Sequence, residues 1–181
     1  MADFYQSGAL ATLHQLGEVD LRRLEERLNR YSIQRPVSLV LASATPLTTE
    51  DALPHIVDEL MSVDYLNRVV VGLSGATAAE YEQALDFFSV LPQATAVIWN
   101  DGPRLKSIFG RLKKAGLLSE TSGKAHNLWI SLGYLLACRD SAVIAVHDTD
   151  ILTYERALLA RLVYPLLDPN MEYEFAKGYY A

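Results

Sequence analysis

The chain has 181 residues, of which half are hydrophobic and about a fifth are charged, proportions that are ordinary for one globular domain with a buried core. Its net charge of -6 argues against nucleic acid as a partner, because phosphate backbones select clustered Lys and Arg. No apolar run reaches the roughly 18 residues that cross a bilayer, so no membrane span is predicted.

The chain contains a single cysteine, Cys138, which excludes an intramolecular disulfide and favours a reducing, cytoplasmic setting. Cys138 lies in the apolar run 135–138 and is predicted to be a small core residue. The N-terminus has neither a basic start nor a long apolar stretch, so a signal peptide is not expected.

The first predicted element is a helix over residues 20–31. Asp20 can cap its N-terminus, and its leucines repeat at the spacing of one helical face. We interpret residues 1–35 as an N-terminal helical segment placed before an α/β domain that covers residues 36–181.

Beyond this helix, short apolar runs alternate with amphipathic segments. The apolar runs are typical of strands buried on both faces of a parallel sheet, and the amphipathic segments are typical of helices. The predicted strands are 37–42, 69–73, 94–99 and 142–146, and the predicted helices are 49–61, 77–90, 103–115, 124–137 and 154–166. This alternation predicts an α/β fold, with a mostly parallel, Rossmann-like sheet and helices on both faces.

The last segment, residues 172–181, alternates polar and apolar residues at first, as in a strand with one solvent-exposed face. A domain rarely ends inside a strand, so we expect the chain to be truncated at its C-terminus, with more residues after Ala181. The segment ends on Tyr179 and Tyr180, which we interpret as core residues rather than sugar-stacking ones.

Polar and small residues follow each of the first four predicted strands. Ligands of open parallel sheets bind outside the carboxyl ends of the strands, so these positions are candidate binding residues. They lie in the segments 43–49, 74–75, 100–104 and 147–150. The stretch Asn100–Gly102 is a turn signature by composition and is interpreted as a turn.

Asp148 and Asp150 form the sharpest signal, an Asp-x-Asp (DXD) motif directly after the fourth apolar strand. Two carboxylates one residue apart can face the same side where a strand ends. Hard cations such as Mg²⁺ or Mn²⁺ prefer oxygen ligands and bridge to diphosphate, so the pair predicts a metal site. The alternative interpretation is that the carboxylates cap the next helix or lie in a solvated loop.

Lys124 follows Gly123 at the start of a predicted helix. A lysine at this position opposes the helix dipole, and an anionic phosphate at the helix N-terminus would compensate for it. The alternative is a surface lysine in a loop. His147, next to the acidic pair, is interpreted as a neutral, hydrogen-bonded residue at the strand end rather than as a catalytic base.

The most distinctive stretches of the chain are Gly123–Trp129, Val143–Ile151 and Glu174–Tyr180. They resemble glucosyl-3-phosphoglycerate synthases and related GT-A glycosyltransferases. The resemblance implies a retaining, metal-dependent hexosyltransferase with a nucleotide-sugar donor of the UDP-glucose or GDP-mannose class. The implied acceptor is 3-phosphoglycerate or a similar small phosphorylated acid.

The resemblance also implies roles for single residues. Asp148 and Asp150 would hold Mg²⁺ or Mn²⁺. The residues implied at the donor are Ala42, Ser43, Ser74, Lys124, Asp148 and Thr149. The loop after the first strand and Ser74 depart from the family's pattern, which leaves the donor base open. No catalytic residue beyond the metal site is implied, the family's acceptor-binding half would follow Ala181, and a homodimer stays open.

Two other classes of protein stay open. A non-catalytic nucleotide-binding or scaffold domain fits the altered loops. A flavodoxin-like or phosphatase-like α/β protein would use the acidic pair for Mg²⁺ and would need carboxylates at other strand ends, where only Asp101 qualifies. The sequence has no nucleophile elbow, no Walker loop and no Gly-x-Gly-x-x-Gly motif, which argues against hydrolases, kinases and dehydrogenases.

Overall fold

The computed structural model describes residue 13 and residues 20–42, 51–117 and 123–178. In these ranges helices and strands follow one another in the predicted alternation. The helices are α1 (Leu21–Ser32), α2 (Leu53–Leu60), α3 (Ala78–Phe88), α4 (Pro103–Lys114), α5 (Lys124–Cys138) and α6 (Arg156–Leu167). The strands are β1 (Val37–Ala42), β2 (Leu66–Leu73), β3 (Ala94–Trp99) and β4 (Val143–His147).

The strands form one parallel sheet in the order β3-β2-β1-β4. β1 lies inside the sheet, and all of its residues are buried, as a nearly continuous apolar run predicts. The predicted α/β fold with a parallel sheet is therefore confirmed. In the described part of the chain, no helix is long and apolar enough to cross a membrane.

Helices cover both faces of the sheet, but unequally. On one face, α1, α2, α3 and α6 share a large core with β1, β2 and β4. Leu28 of α1 is fully buried in that core, so the helix of the predicted N-terminal segment packs directly on the α/β domain. On the other face, α5 places Leu135 against Val40 and Val70 in a smaller core.

Local sequence signals set the ends of several helices. The Asp20 carboxylate accepts a hydrogen bond from the Arg23 amide at 3.1 Å, which caps α1 as predicted. Thr77 and Glu80 form a reciprocal capping box at the start of α3. Gly116, with a φ of 69°, follows α4 in the left-handed conformation that glycine adopts readily.

Two predictions differ from the structure. Residues 172–178 form no strand, although the sequence predicts one over residues 172–181. An alternating pattern forms a strand only where a neighbour supplies hydrogen bonds, and among the described residues β4 pairs only with β1. Cys138, predicted to be a core residue, is only partly buried because it is the last residue of α5.

A buried hydrogen bond seats α5 on the sheet. The Asn127 side chain is fully buried, and its amide nitrogen donates to the Gly72 carbonyl of β2 at 2.8 Å. A Cβ atom at Gly72 would lie 1.7 Å from Asn127 Oδ1, so the helix can approach only a glycine at this position. The Ser131 hydroxyl donates to the Asn127 carbonyl at 3.0 Å, one turn further along α5.

We expect the substitution Gly72→Ala to lower the free energy of unfolding by about 1–3 kcal/mol, because the added methyl group collides with a side chain that cannot leave its buried hydrogen bond. Chemical denaturation followed by circular dichroism measures the change. The matched control is Gly133→Ala on the open side of α5, where a Cβ meets nothing within 4 Å. That substitution should stabilise the helix by about 1 kcal/mol, and equal effects at both glycines would contradict this account.

Candidate functional site

The strand order brings the predicted site residues to one edge of the sheet. The chain order of the strands changes direction between β1 and β4, which is where open parallel sheets bind ligands. In the register, Leu41 pairs with His147 and Ala42 pairs with Gly72. β1, β2 and β4 therefore end side by side at the carboxyl edge of the sheet. Ser43, a predicted donor residue, lies outside the described residues.

The acidic motif forms the loop that follows β4. Asp148 is half-exposed, with 48% of its side chain accessible, and Asp150 is exposed. Thr149 between them is buried, with 3% exposure. Both carboxylates can therefore reach a ligand from solvent, whereas the Thr149 side chain is held inside.

Lys124 forms an ion pair with this loop. Its ammonium group lies 2.5 Å from Asp148 Oδ1, although the two residues belong to different elements. Lys124 is the first residue of α5 and follows Gly123, which has a φ of 92°, a value that favours glycine. The lysine opposes the helix dipole, and Asp148 supplies the compensating negative charge.

Asn127 explains why the lysine reaches Asp148. It lies three residues after Lys124, so the hydrogen bond from Asn127 to Gly72 fixes the first turn of α5 above the carboxyl end of β2. Asn127 was not among the candidate residues predicted from the sequence. Its signals were a glycine inside an apolar strand, which marks a close approach of another element, and a polar side chain on the apolar face of a helix.

His147 ends β4 with its ring directed into the core. The ring is buried, with 8% exposure, and its Nδ1 lies 3.1 Å from the Tyr154 hydroxyl. Burial lowers the pKa of His147 to about 4, and the charge of Asp148 opposes this shift. The histidine is therefore neutral near pH 7, as predicted for a hydrogen-bonded residue at the strand end.

Polar side chains also join the ends of β2 and β3. The Asn100 amide donates to the Ser74 hydroxyl at 3.0 Å, and an Asp101 carboxylate oxygen accepts from the Gly75 amide at 2.6 Å. The predicted turn at Asn100–Gly102 is confirmed by the hydrogen bond from the Gly102 amide to the Trp99 carbonyl. Asp101 thus fixes the start of the loop after β2 through the Gly75 amide. This role argues against a flavodoxin-like or phosphatase-like Mg²⁺ site, which would need the Asp101 carboxylate as a ligand.

Ala42, a predicted donor residue, can face a ligand only with its backbone. Its side chain is buried, with 2% exposure, in the smaller core under α5. Tyr179 and Tyr180, like Ser43, lie outside the described residues. The outer edge of β4 borders a groove of about 600 Å³ that runs from Asp148 to the irregular segment 173–178.

The donor atoms of the acidic loop fit a hard divalent cation. Within the described ranges, no three His, Cys, Asp or Glu side chains are grouped as a cation site, so the candidate ligands among these residues are Asp148 and Asp150. Mg²⁺ commonly keeps several waters and binds through one or two carboxylates together with substrate phosphates. Two accessible carboxylates beside a lysine match that chemistry.

The fold and the site define a class: a parallel α/β domain in which an acidic loop and a helix N-terminus meet at the switch point of the sheet. Within this class, the chain is 39% identical over 181 residues to a glucosyl-3-phosphoglycerate synthase of Persephonella marina, of which it covers 45%. It is 35% identical over 180 residues to a glucosyl-3-phosphoglycerate synthase of Methanococcoides burtonii, of which it covers 44%. The resemblance predicted from the sequence is therefore confirmed.

The similarity extends along the whole of this chain but not along the whole of its relatives. The chain spans a little less than half the length of both synthases. No family model matches the chain.

The buried His147 gives the protein a pH dependence with a defined sign. Its folded pKa of about 4 lies below the ordinary value of 6.5, so between these values the unfolded chain binds a proton that the folded chain excludes. The resulting stability is complete above pH 6.5 and is lost as the pH falls, by up to about 3 kcal/mol.

Unfolding by urea at pH 7 and at pH 5, compared between the native chain and a His147→Gln variant, measures this contribution. The native chain should lose more stability than the variant over this interval, since glutamine does not titrate. A histidine ring that titrates near its ordinary pKa in a nuclear magnetic resonance experiment would contradict the prediction.

Proposed function

We propose that this chain is the nucleotide-sugar-binding part of a metal-dependent, retaining hexosyltransferase. The activated hexose comes from a nucleoside diphosphate sugar, and the acceptor is a small phosphorylated acid such as 3-phosphoglycerate. The names of the two relatives support this reaction. The single structural observation that supports this reaction is the contact between Lys124 and Asp148. This contact brings an ammonium group, a carboxylate and a helix N-terminus together at the switch point of the sheet.

The ion pair of Lys124 with Asp148 suits a site that takes up an anion and a divalent cation together. Both side chains are about half-exposed, so each can exchange its partner for a ligand at small cost. Asp148 and Asp150 would hold Mg²⁺ or Mn²⁺, and Lys124 would turn to the diphosphate. The cation, when bound, neutralises charge on the departing nucleoside diphosphate.

The remaining donor contacts follow the carboxyl edge of the sheet. We assign to the donor the backbone of Ala42, the residue Ser43 and the hydroxyl of Ser74. Thr149 would contribute its backbone, because its side chain is buried. Asn100 orients the Ser74 hydroxyl, so these two residues form a polar pair that could discriminate a nucleobase of the UDP-glucose class from one of the GDP-mannose class.

We expect Asp150→Asn to weaken Mn²⁺-dependent binding of UDP-glucose or GDP-mannose about tenfold or more, because the variant loses one of two anionic ligands of the cation. Lys124→Met should weaken donor binding in the presence of Mn²⁺ by a similar factor, because a charge on the diphosphate is left unpaired. Isothermal titration calorimetry measures both.

The matched control is Asp58→Asn, which neutralises an exposed carboxylate on α2 and should leave donor binding within twofold of the native chain. Equal donor binding with and without Mn²⁺ would refute the metal-dependent site. Binding of the nucleotide without hexose transfer by a longer protein that also covers the rest of the relatives' length would favour the non-catalytic alternative.

A further inference from the structure

The loop that carries the acidic motif is closed at its base by one hydrogen bond. His147 is the last residue of β4, and Tyr154 lies two residues before α6. Nδ1 of His147 lies 3.1 Å from the Tyr154 hydroxyl, and the two rings meet edge to face with centroids 5.4 Å apart. Residues 148–153, which include both candidate metal ligands, lie between these two anchors.

The two anchors are buried, whereas three of the six residues between them are exposed. Tyr154 is fully buried, with 0% exposure, and His147 has 8% exposure. Asp150, Leu152 and Thr153 are exposed. Most buried hydroxyl groups in proteins are hydrogen-bonded, and the contact of Tyr154 with His147 holds the two ends of the loop at one separation.

We propose that Tyr154 is a positioning residue for the metal and diphosphate site. Its hydroxyl, through His147, fixes the direction in which Asp148 and Asp150 leave β4. This inference rests on the proposed function, because the carboxylates it positions are the proposed ligands of the cation. It adds a residue that contacts neither the cation nor the donor and that acts through the strand end.

The substitution Tyr154→Phe tests the hydroxyl alone, because it keeps the buried ring. The chain offers a matched control in Tyr65→Phe. Tyr65 is also buried, with 2% exposure, and within the described part of the chain its hydroxyl has no hydrogen-bond partner. Both variants lose one buried hydroxyl, but only Tyr154→Phe removes the hydrogen bond that closes the loop.

The first measurement is binding of Mn²⁺ to the full chain by electron paramagnetic resonance, with Mn²⁺ alone and with UDP or GDP. We expect Tyr154→Phe to weaken Mn²⁺ binding about tenfold, as the loss of an outer-shell partner commonly does. Tyr65→Phe should stay within twofold of the native chain. His147→Leu removes the same hydrogen bond from its other end, so the double variant should lose little more than either single variant.

The second measurement is hydrogen exchange of the amides of residues 148–153 without metal, which should be faster in Tyr154→Phe than in Tyr65→Phe. Native Mn²⁺ affinity and native exchange in Tyr154→Phe would overturn the positioning role and leave the proposed function intact. Equal weakening in the two tyrosine variants would overturn it in favour of packing. A native chain that binds no Mn²⁺ would overturn both this inference and the metal-dependent function.

Discussion

The parallel pairing of β1 with β2 on one side and with β4 on the other is the constraint on which the rest of the structure depends. It places the carboxyl ends of three strands at one edge, with Leu41 beside His147 and Ala42 beside Gly72. Because chain direction is shared, the described loops that follow β2 and β4 begin on the same side of the sheet. The acidic loop and α5 can therefore meet there.

The contact between α5 and the acidic loop depends on the close approach of α5 to β2. Asn127 can donate to the Gly72 carbonyl only because position 72 lacks a Cβ atom, and this hydrogen bond sets the first turn of α5. Lys124 then lies within reach of Asp148. A half-exposed ion pair adds little to stability, so the contact between Lys124 and Asp148 contributes little to folding.

The acidic loop has buried ends and accessible carboxylates. His147 and Tyr154 are buried and hydrogen-bonded to each other, whereas Asp150 is exposed. The exposed carboxylates can exchange one set of partners for another. The buried ends of the loop limit the loss of conformational freedom on binding. The similarity to two glucosyl-3-phosphoglycerate synthases gives this geometry a chemical context.

The sequence by itself determined the α/β alternation, the burial of β1 and β2 and the acidic motif at a strand end, because these depend on local composition and on period. Of the strand that it predicted over residues 172–181, the described residues 172–178 form none, since strand formation requires a neighbour that no local pattern supplies. Only the tertiary structure decided that Asn127 contacts Gly72, that Lys124 contacts Asp148 and that Tyr154 contacts His147. Two of these contacts join elements far apart in the chain, and the third closes a loop whose shape depends on the core around it.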